Sequence, residues 1–220
     1  TVADSSGHGR TLNLTEIAGY PGFHTDAAPG SWPYSLLFAN TGGEAGALSG
    51  IGGGNPSFTM AFWIKWQGAG SQRQWIADMG SAATYQGFHW LVNPSGMTQI
   101  GFYGGTNLAY DLSPYVNTWT ELLTNYDANT GVLSTYVNGI QVAAAAVSQT
   151  PALAHDFLRI GGAPAAEASL NGWIDEVRVW NYSLNPYPPT PTRTATPTQT
   201  PIPACGNGFV ALPEECDDGN

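Results

Sequence analysis

From Phe58 to Trp66 the chain alternates. Phe58, Met60, Phe62, Ile64 and Trp66 share one parity, while Thr59, Ala61, Trp63 and Lys65 take the other. A period of two with one wholly apolar set predicts a strand that buries one face. Leu133, Thr135 and Val137 alternate in the same way with Ser134 and Tyr136, and Asn138-Gly139 leads into Ile140-Gln141-Val142. Asn-Gly between two such runs predicts a hairpin, because both turn positions need positive φ. A second hairpin is expected around Asn93–Gly96, joining His89–Val92 to Gln99–Tyr103. Further strands are expected at Ser35–Ala39, Gln74–Asp78, Thr120–Asn125, Phe157–Ile160 and Trp173–Trp180. No segment has a helical period. Many short strands punctuated by Gly, Pro and Asn predict an all-β fold, an antiparallel two-sheet β-sandwich of the jelly-roll kind.

Composition sharpens this picture. Only 10% of the 220 residues are charged, with 28 glycines and 16 prolines, which suits strands and turns rather than helical bundles. Six basic residues against a net charge of −10 leave no basic footprint for nucleic acid. They disfavour anionic membrane surfaces for the same reason, while an acidic balance fits cation binding. The apolar run Val142–Val147 is far too short to span a bilayer, so membrane insertion is not expected. No charged-then-apolar leader opens the chain at Thr1, so for a secreted form the expectation is that the signal has been removed or that the numbering starts after it.

Residues 1–185 form one compositional block, the sandwich. Residues 186–203, PYPPTPTRTATPTQTPIP, include seven prolines, and threonine holds every even position from Thr190 to Thr200. Such a segment buries nothing. Its prolines favour an extended polyproline II linker reaching about 55 Å at about 3.1 Å per residue. Hydroxyls spaced beside prolines also suit O-glycosylation at Thr190, Thr192, Thr194, Thr196, Thr198 and Thr200; the alternative is a bare spacer. Residues 204–220 hold both cysteines, Cys205 and Cys216. Cysteine confined to a short tail reads as a disulfide unit in an oxidising compartment. Two pairings are open, with each other or with cysteines downstream of Asn220, and spacing does not choose between them.

The block from Asp4 to Leu184 resembles the concanavalin-A-like lectin/glucanase superfamily in its laminin-G-like branch. The resemblance rests on an ordered set of pieces. Asp4–Gly9 resembles the entry segment, Ser35–Phe38 the second strand, and Phe58–Ile64 the strand that carries a tryptophan. Asn117-Thr118-Trp119, Asn125-Tyr126-Asp127 and Tyr136–Gly139 resemble the middle stretch, and Leu158–Gly162 and Leu170–Trp180 the closing strands. Thr120-Glu121-Leu122 departs from relatives that often carry histidines there. The tail, Cys205–Gly208 followed by Glu214–Asn220, is similar to the start of a cysteine-rich extracellular repeat.

The candidate chemistry is sparse. Hydrolases of the superfamily carry a Glu-x-Asp-x-x-Glu triplet on one strand, and this chain has none. Asp175 and Glu176 are adjacent, so they are expected to point to opposite faces. The four histidines His8, His24, His89 and His155 lack zinc-ligand spacing, and there is no serine elbow. Asp175 shares its parity with Trp173, Val177 and Val179, and a carboxylate on an apolar face is costly unless paired or coordinated. The resemblance implies a structural calcium held by Asp175 with N-terminal residues, Asp4 the best candidate among them. The alternative is that Asp175 accepts hydrogen bonds from backbone or Arg178. Asp217 and Asp218 would bind an ion only within a complete repeat. Trp63, Trp75, Trp90 and Tyr103 are candidates for stacking on sugar rings, since they do not all fit one core face; ordinary sandwich packing is the alternative. Asn13 and Asn181 head sequons.

These readings lead to a non-catalytic, extracellular adhesion or structural module, secreted or at the cell surface, with a cell-surface stalk or a self-assembling fibre subunit as its expected forms. The alternative is a lectin-like carbohydrate-binding module of a larger secreted protein or enzyme. The partners expected are glycans, other extracellular proteins, or other copies of the chain in a homo-oligomer or fibre; nucleic acid is not among them.

Overall fold

A computed structural model describes residues 12–15, 21–31, 33–39, 45–49, 54–154, 157–162 and 168–184. The chain separates into two units, Thr1–Pro188 and Pro189–Asn220, and all that follows belongs to the first. Asp4, the linker threonines Thr190–Thr200 and both cysteines lie outside the described residues.

The strands in chain order are β1 (Asn13–Thr15), β2 (Gly22–His24), β3 (Ser35–Ala39), β4 (Ala45–Ser49), β5 (Phe58–Trp66), β6 (Gln74–Gly80), β7 (Gly87–Val92) and β8 (Thr98–Phe102). They continue with β9 (Asn107–Leu108), β10 (Thr120–Asp127), β11 (Val132–Val137), β12 (Ile140–Ala146), β13 (Phe157–Ile160), β14 (Ala168–Ser169) and β15 (Asn171–Trp180). Among the described residues the one helical element is a 3₁₀ turn, Ser113–Tyr115.

Two sheets result. One runs β12-β11-β10-β5-β15-β3-β2. The other runs β1-β4-β13-β6-β7-β8-β9, with β14 joined to β6 in the sandwich's one parallel pairing among the described strands. The architecture is an all-β sandwich, as the alternation predicts. β1, β2, β4, β9 and β14 are not among the strands expected from the alternation.

The core is the sum of inward parities. Phe58, Met60, Phe62, Ile64 and Trp66 of β5 are each at most 1% exposed, and they meet Phe88, Trp90 and Val92 of β7. Aromatic edges bridge the sheets. The ring centroids of Phe58 and Phe88 lie 5.3 Å apart, and those of Phe62 and Trp90 5.6 Å apart. Full burial of one such ring contributes about 2 kcal/mol, so β5 anchors both sheets.

The turns follow their residues. Asn138 and Gly139 have φ of 50° and 79°, the paired positive values of the Asn-Gly hairpin turn. The Asn93–Gly96 turn also forms, with Gly96 donating to the Asn93 carbonyl at 2.9 Å.

β15 departs from the simple alternation. Asp175 faces Trp63 of β5, but Arg178 faces Ala61, so Glu176 and Val177 together oppose one residue. Glu176 takes φ of 48°. This β-bulge reverses the strand's phase. The shared parity of Asp175 with Val177 and Val179 is thereby corrected: those two valines pack against the core. Trp173 pairs with Lys65 and Trp180 with Thr59, on the outward parity of β5.

Gly161 has φ of +71°, and an added Cβ there would fall inside the Phe38 ring. Gly139 has a similar φ but open space around it. Gly161→Ala is expected to cost about 3 kcal/mol in urea unfolding, from backbone strain plus overpacking, against about 1 kcal/mol for Gly139→Ala. Equal losses would contradict the packing described.

Candidate functional site

The outer face of the seven-stranded sheet carries the densest set of partly exposed aromatic and polar groups. Trp63 stands between Glu121 of β10 and Asp175 of β15, its register partners on either side. Trp173, Trp180 and Trp119 join it, all partly exposed. The bulge at Glu176 is what turns Arg178 and Trp180 to this face. Ala61 is small, and Arg178 beside it reaches over β5 to place its guanidinium 2.7 Å from Glu121 Oε1.

Charges hold the aromatics in place. Lys65 Nζ lies 5.3 Å from the centroid of the Trp173 ring and 2.6 Å from Asp26 Oδ2. The Trp119 indole donates to Asp26 Oδ1 at 3.0 Å. His24 stacks at a tilt on Trp173, with ring centroids 5.8 Å apart. The Lys65 ammonium bonded to Asp26 keeps that carboxyl below its usual pKa, against a smaller opposing effect of desolvation. The Trp173 Nε1 and Arg178 Nε groups have no acceptor among the described residues.

At the far end of the face the chain crosses back over its own strands. Thr59 Oγ1 donates to the Tyr182 carbonyl at 2.9 Å, and Leu184 N–H is shared between Thr59 Oγ1 at 3.1 Å and Asn125 Oδ1 at 3.0 Å. Thr59 and Asn125 point outward yet are only 0% and 3% exposed, because this segment covers them.

Asp175 is held by three hydrogen bonds. Its Oδ2 accepts from Ala28 N–H at 2.9 Å and the Ser31 hydroxyl at 2.6 Å, and its Oδ1 from Glu176 N–H at 2.8 Å. Among the described residues no three His, Cys, Asp or Glu side chains are grouped to hold a metal ion. Asp4, the partner expected beside Asp175 in a calcium site, lies outside the described residues. The backbone donors of the alternative reading are the ones found, while Arg178 turns to Glu121 instead.

The other sugar-stacking candidates separate. Trp90 is fully buried in the core, because its parity on β7 faces inward, and it is withdrawn from the set. Trp75 and Tyr103 lie on the outer face of the opposite sheet, packed with Leu91. There Asp78, only 2% exposed, meets Arg159 at 2.7 Å and accepts from Tyr103 Oη at 3.2 Å. Desolvation raises its pKa despite Arg159. His89 lies beside it in register, bonded through Nε2 to Asn107 Oδ1 at 2.8 Å. Burial lowers its pKa to about 4. Asn13 and Asn181 are exposed. Trp180 and Arg178 escape a reading by strict alternation, since only the bulge turns them to this face, and Trp119 joins it through Asp26.

The profile of the concanavalin A-like lectin/glucanases superfamily, in its laminin-G form, matches residues 40–187. Among solved structures, the receptor binding domain of botulinum neurotoxin D is similar, with a TM-score of 0.62, 13% identity, and coverage of 83% of this chain and 46% of that one. Botulinum neurotoxin type C, described as entering cells through interaction with two ganglioside molecules, gives a TM-score of 0.61 at 16% identity, covering 84% of this chain and 46% of that one. The binding domain of botulinum neurotoxin DC in complex with SialylT gives 0.59 at 14% identity, with coverage of 84% and 46%. The chain thus spans less than half the length of these neighbours, and likeness at such identity shows a shared fold. A comparison with curated proteins finds no match.

Two outcomes are expected. Asp175→Ala, which unties the 25–31 segment from β15, should lower stability by about 2 kcal/mol, by the same amount in calcium and in excess EDTA; a loss confined to the calcium sample would restore the metal reading. His89 has a folded pKa near 4, below an unfolded value of about 6.5. Its contribution is complete above pH 6.5 and falls away as the pH drops towards 4, by up to about 3 kcal/mol. Asp78, with its raised pKa, acts in the opposite sense. His89→Gln should therefore flatten the acid limb of a urea-midpoint profile between pH 6.5 and 4, and an unchanged slope would contradict the burial of a neutral imidazole.

Proposed function

Because the chain belongs to the concanavalin A-like lectin/glucanases superfamily, we propose that it is a non-catalytic, extracellular carbohydrate-binding module whose glycan face is the outer surface of the seven-stranded sheet. The single observation that carries this reading is the convergence of Trp63, Trp119, Trp173 and Trp180 on one face, each partly exposed, among fixed charged groups. Indole faces present apolar area to the C–H side of a pyranose ring, and surrounding side chains fix its hydroxyls. The glycan partners stated for the structural neighbours, gangliosides in one case, point the same way.

Glu121 and Asp175 flank Trp63, which is where a hydrolase would place two acids. Here Glu121 is bound by Arg178 and Asp175 by three donors. Both are committed to holding the face together, so binding without bond cleavage is the chemistry this arrangement serves.

Glycan-array screening followed by calorimetry tests the proposal. Trp63→Ala and Trp173→Ala are each expected to weaken binding at least tenfold, about 1.4 kcal/mol, while Trp75→Ala, on the other sheet, leaves affinity unchanged. Loss on Trp75→Ala with retention in Trp63→Ala would move the site to the opposite face. No binding to any glycan would remove the function.

A further inference from the structure

The pairing of β15 with β5 orders the outer face of the seven-stranded sheet in rows. Trp173 stands opposite Lys65, Asp175 opposite Trp63, Arg178 opposite Ala61 and Trp180 opposite Thr59. Trp119 precedes Thr120, which pairs with Ile64, so it enters the face at the Lys65 end. The tryptophans of β15 and β5 thus occupy the rows of residues 65, 63 and 59. At about 3.4 Å per residue, Trp173 lies about 7 Å along the strands from Trp63, and Trp180 about 14 Å from Trp63 in the other direction. The whole row from Trp173 to Trp180 runs about 20 Å, on two strands about 4.8 Å apart. These three indoles make a narrow strip that follows the strands. Each keeps part of its area in solvent.

The length of the strip sets the size of what can cover it. One six-membered ring stacked on Trp173 or Trp63 leaves Trp180 untouched. A chain of several linked rings reaches both ends, and each indole it covers adds a stacking contact.

The charges along the strip select against an acidic ligand. Lys65 and Arg178 are its two cations among the described residues, and each is already bonded to a carboxylate, Asp26 at 2.6 Å and Glu121 at 2.7 Å. Asp175 adds a carboxylate opposite Trp63, and Glu176 is exposed at the bulge. Arg159 belongs to β13 in the opposite sheet, and the whole chain has a net charge of −10. A carboxylate or sulfate arriving here would meet excess negative charge and would have to displace an existing ion pair.

Given the glycan-binding reading of this face, on which the inference rests, we propose that its ligand is a linear, uncharged glycan chain several sugar rings long. The chain lies along β5 and β15, with rings stacked on Trp173, Trp63 and Trp180.

Calorimetry on the full chain with graded sugars tests this. The neutral probes are cello-, xylo-, manno- and laminari-oligosaccharides, each from monosaccharide to hexasaccharide. The acidic probes are sialyllactose and oligogalacturonates. In a neutral ladder that binds, affinity should rise about tenfold or more from disaccharide to hexasaccharide, because the longer chain adds the contact at Trp180. Trp180→Ala should weaken the hexasaccharide about tenfold and the disaccharide much less, whereas Trp63→Ala weakens both. The acidic probes should bind about tenfold or more weakly than neutral chains of matched length. The wild-type ladder answers the question even if a variant unfolds. A disaccharide that binds as tightly as the hexasaccharide, equal losses at both lengths on Trp180→Ala, or a preference for the acidic probes would overturn the proposal and leave glycan binding standing. So would silence of every neutral ladder while other glycans bind on an array. Binding of no glycan at all would remove the glycan reading itself, and the proposal with it.

Discussion

A pleated strand can give only one of its two parities to a core, and in this protein β5 sets which. Its odd-numbered and even-numbered residues divide into an outer polar set, Thr59 to Lys65, and an inner apolar set, Phe58 to Trp66. β10 and β15 hydrogen-bond to either side of it and must match that division row by row. β10 does so with plain alternation. β15 does so only by inserting Glu176 as a bulge, which lets Ile174 and Val179 both contribute to the core although their numbers differ by five. Asp175 and Arg178 both face outward for the same reason. The bulge costs a non-glycine residue a positive φ, of order 1 kcal/mol. In return the outer face gains Arg178 opposite Ala61 and Trp180 opposite Thr59, on the same parity as Trp63.

The two outer faces then differ in kind. On the eight-stranded sheet, Asp78, His89, Trp75 and Leu91 are almost wholly buried, so their polar atoms are satisfied within the protein or penalised by burial. Desolvation lowers the histidine's pKa and raises the aspartate's, the signature of a structural cluster held away from water. On the seven-stranded sheet the tryptophans keep part of their area in solvent, and the ion pairs of Lys65 and Arg178 brace them while remaining partly exposed themselves. Area left in water is area a ligand can cover, which is why recognition belongs to this face.

Much of the fold was legible because alternation and turn chemistry are local. Phe58–Trp66 alternates without a break, and Asn138-Gly139 places positive φ where the hairpin needs it. The site was only partly legible. Trp63 was found from its outward parity. Trp90 misled because a tryptophan among alternating residues gives no sign of which parity is buried. Trp173 was seen but placed on an apolar face with Val177 and Val179, since a bulge leaves no mark in a strand's residue types. Trp119 and Asp26 meet through a contact between residues 93 positions apart, which no local pattern encodes. Two of the hydrogen bonds that engage Asp175 come from Ala28 and Ser31, 147 and 144 positions away, beyond the reach of any local pattern.

The central claim is that the bulge in β15 assembles one recognition face from tryptophans of different strands. Two-dimensional NMR of the indole N–H groups during titration with an oligosaccharide ligand tests it most directly, because the chain's eight tryptophans report separately. The account predicts that the signals of Trp63, Trp119, Trp173 and Trp180 move together and saturate at one ligand concentration, while those of Trp66, Trp75 and Trp90 stay in place. Saturable shifts confined to Trp75, with the four outer-face signals unmoved, would contradict it.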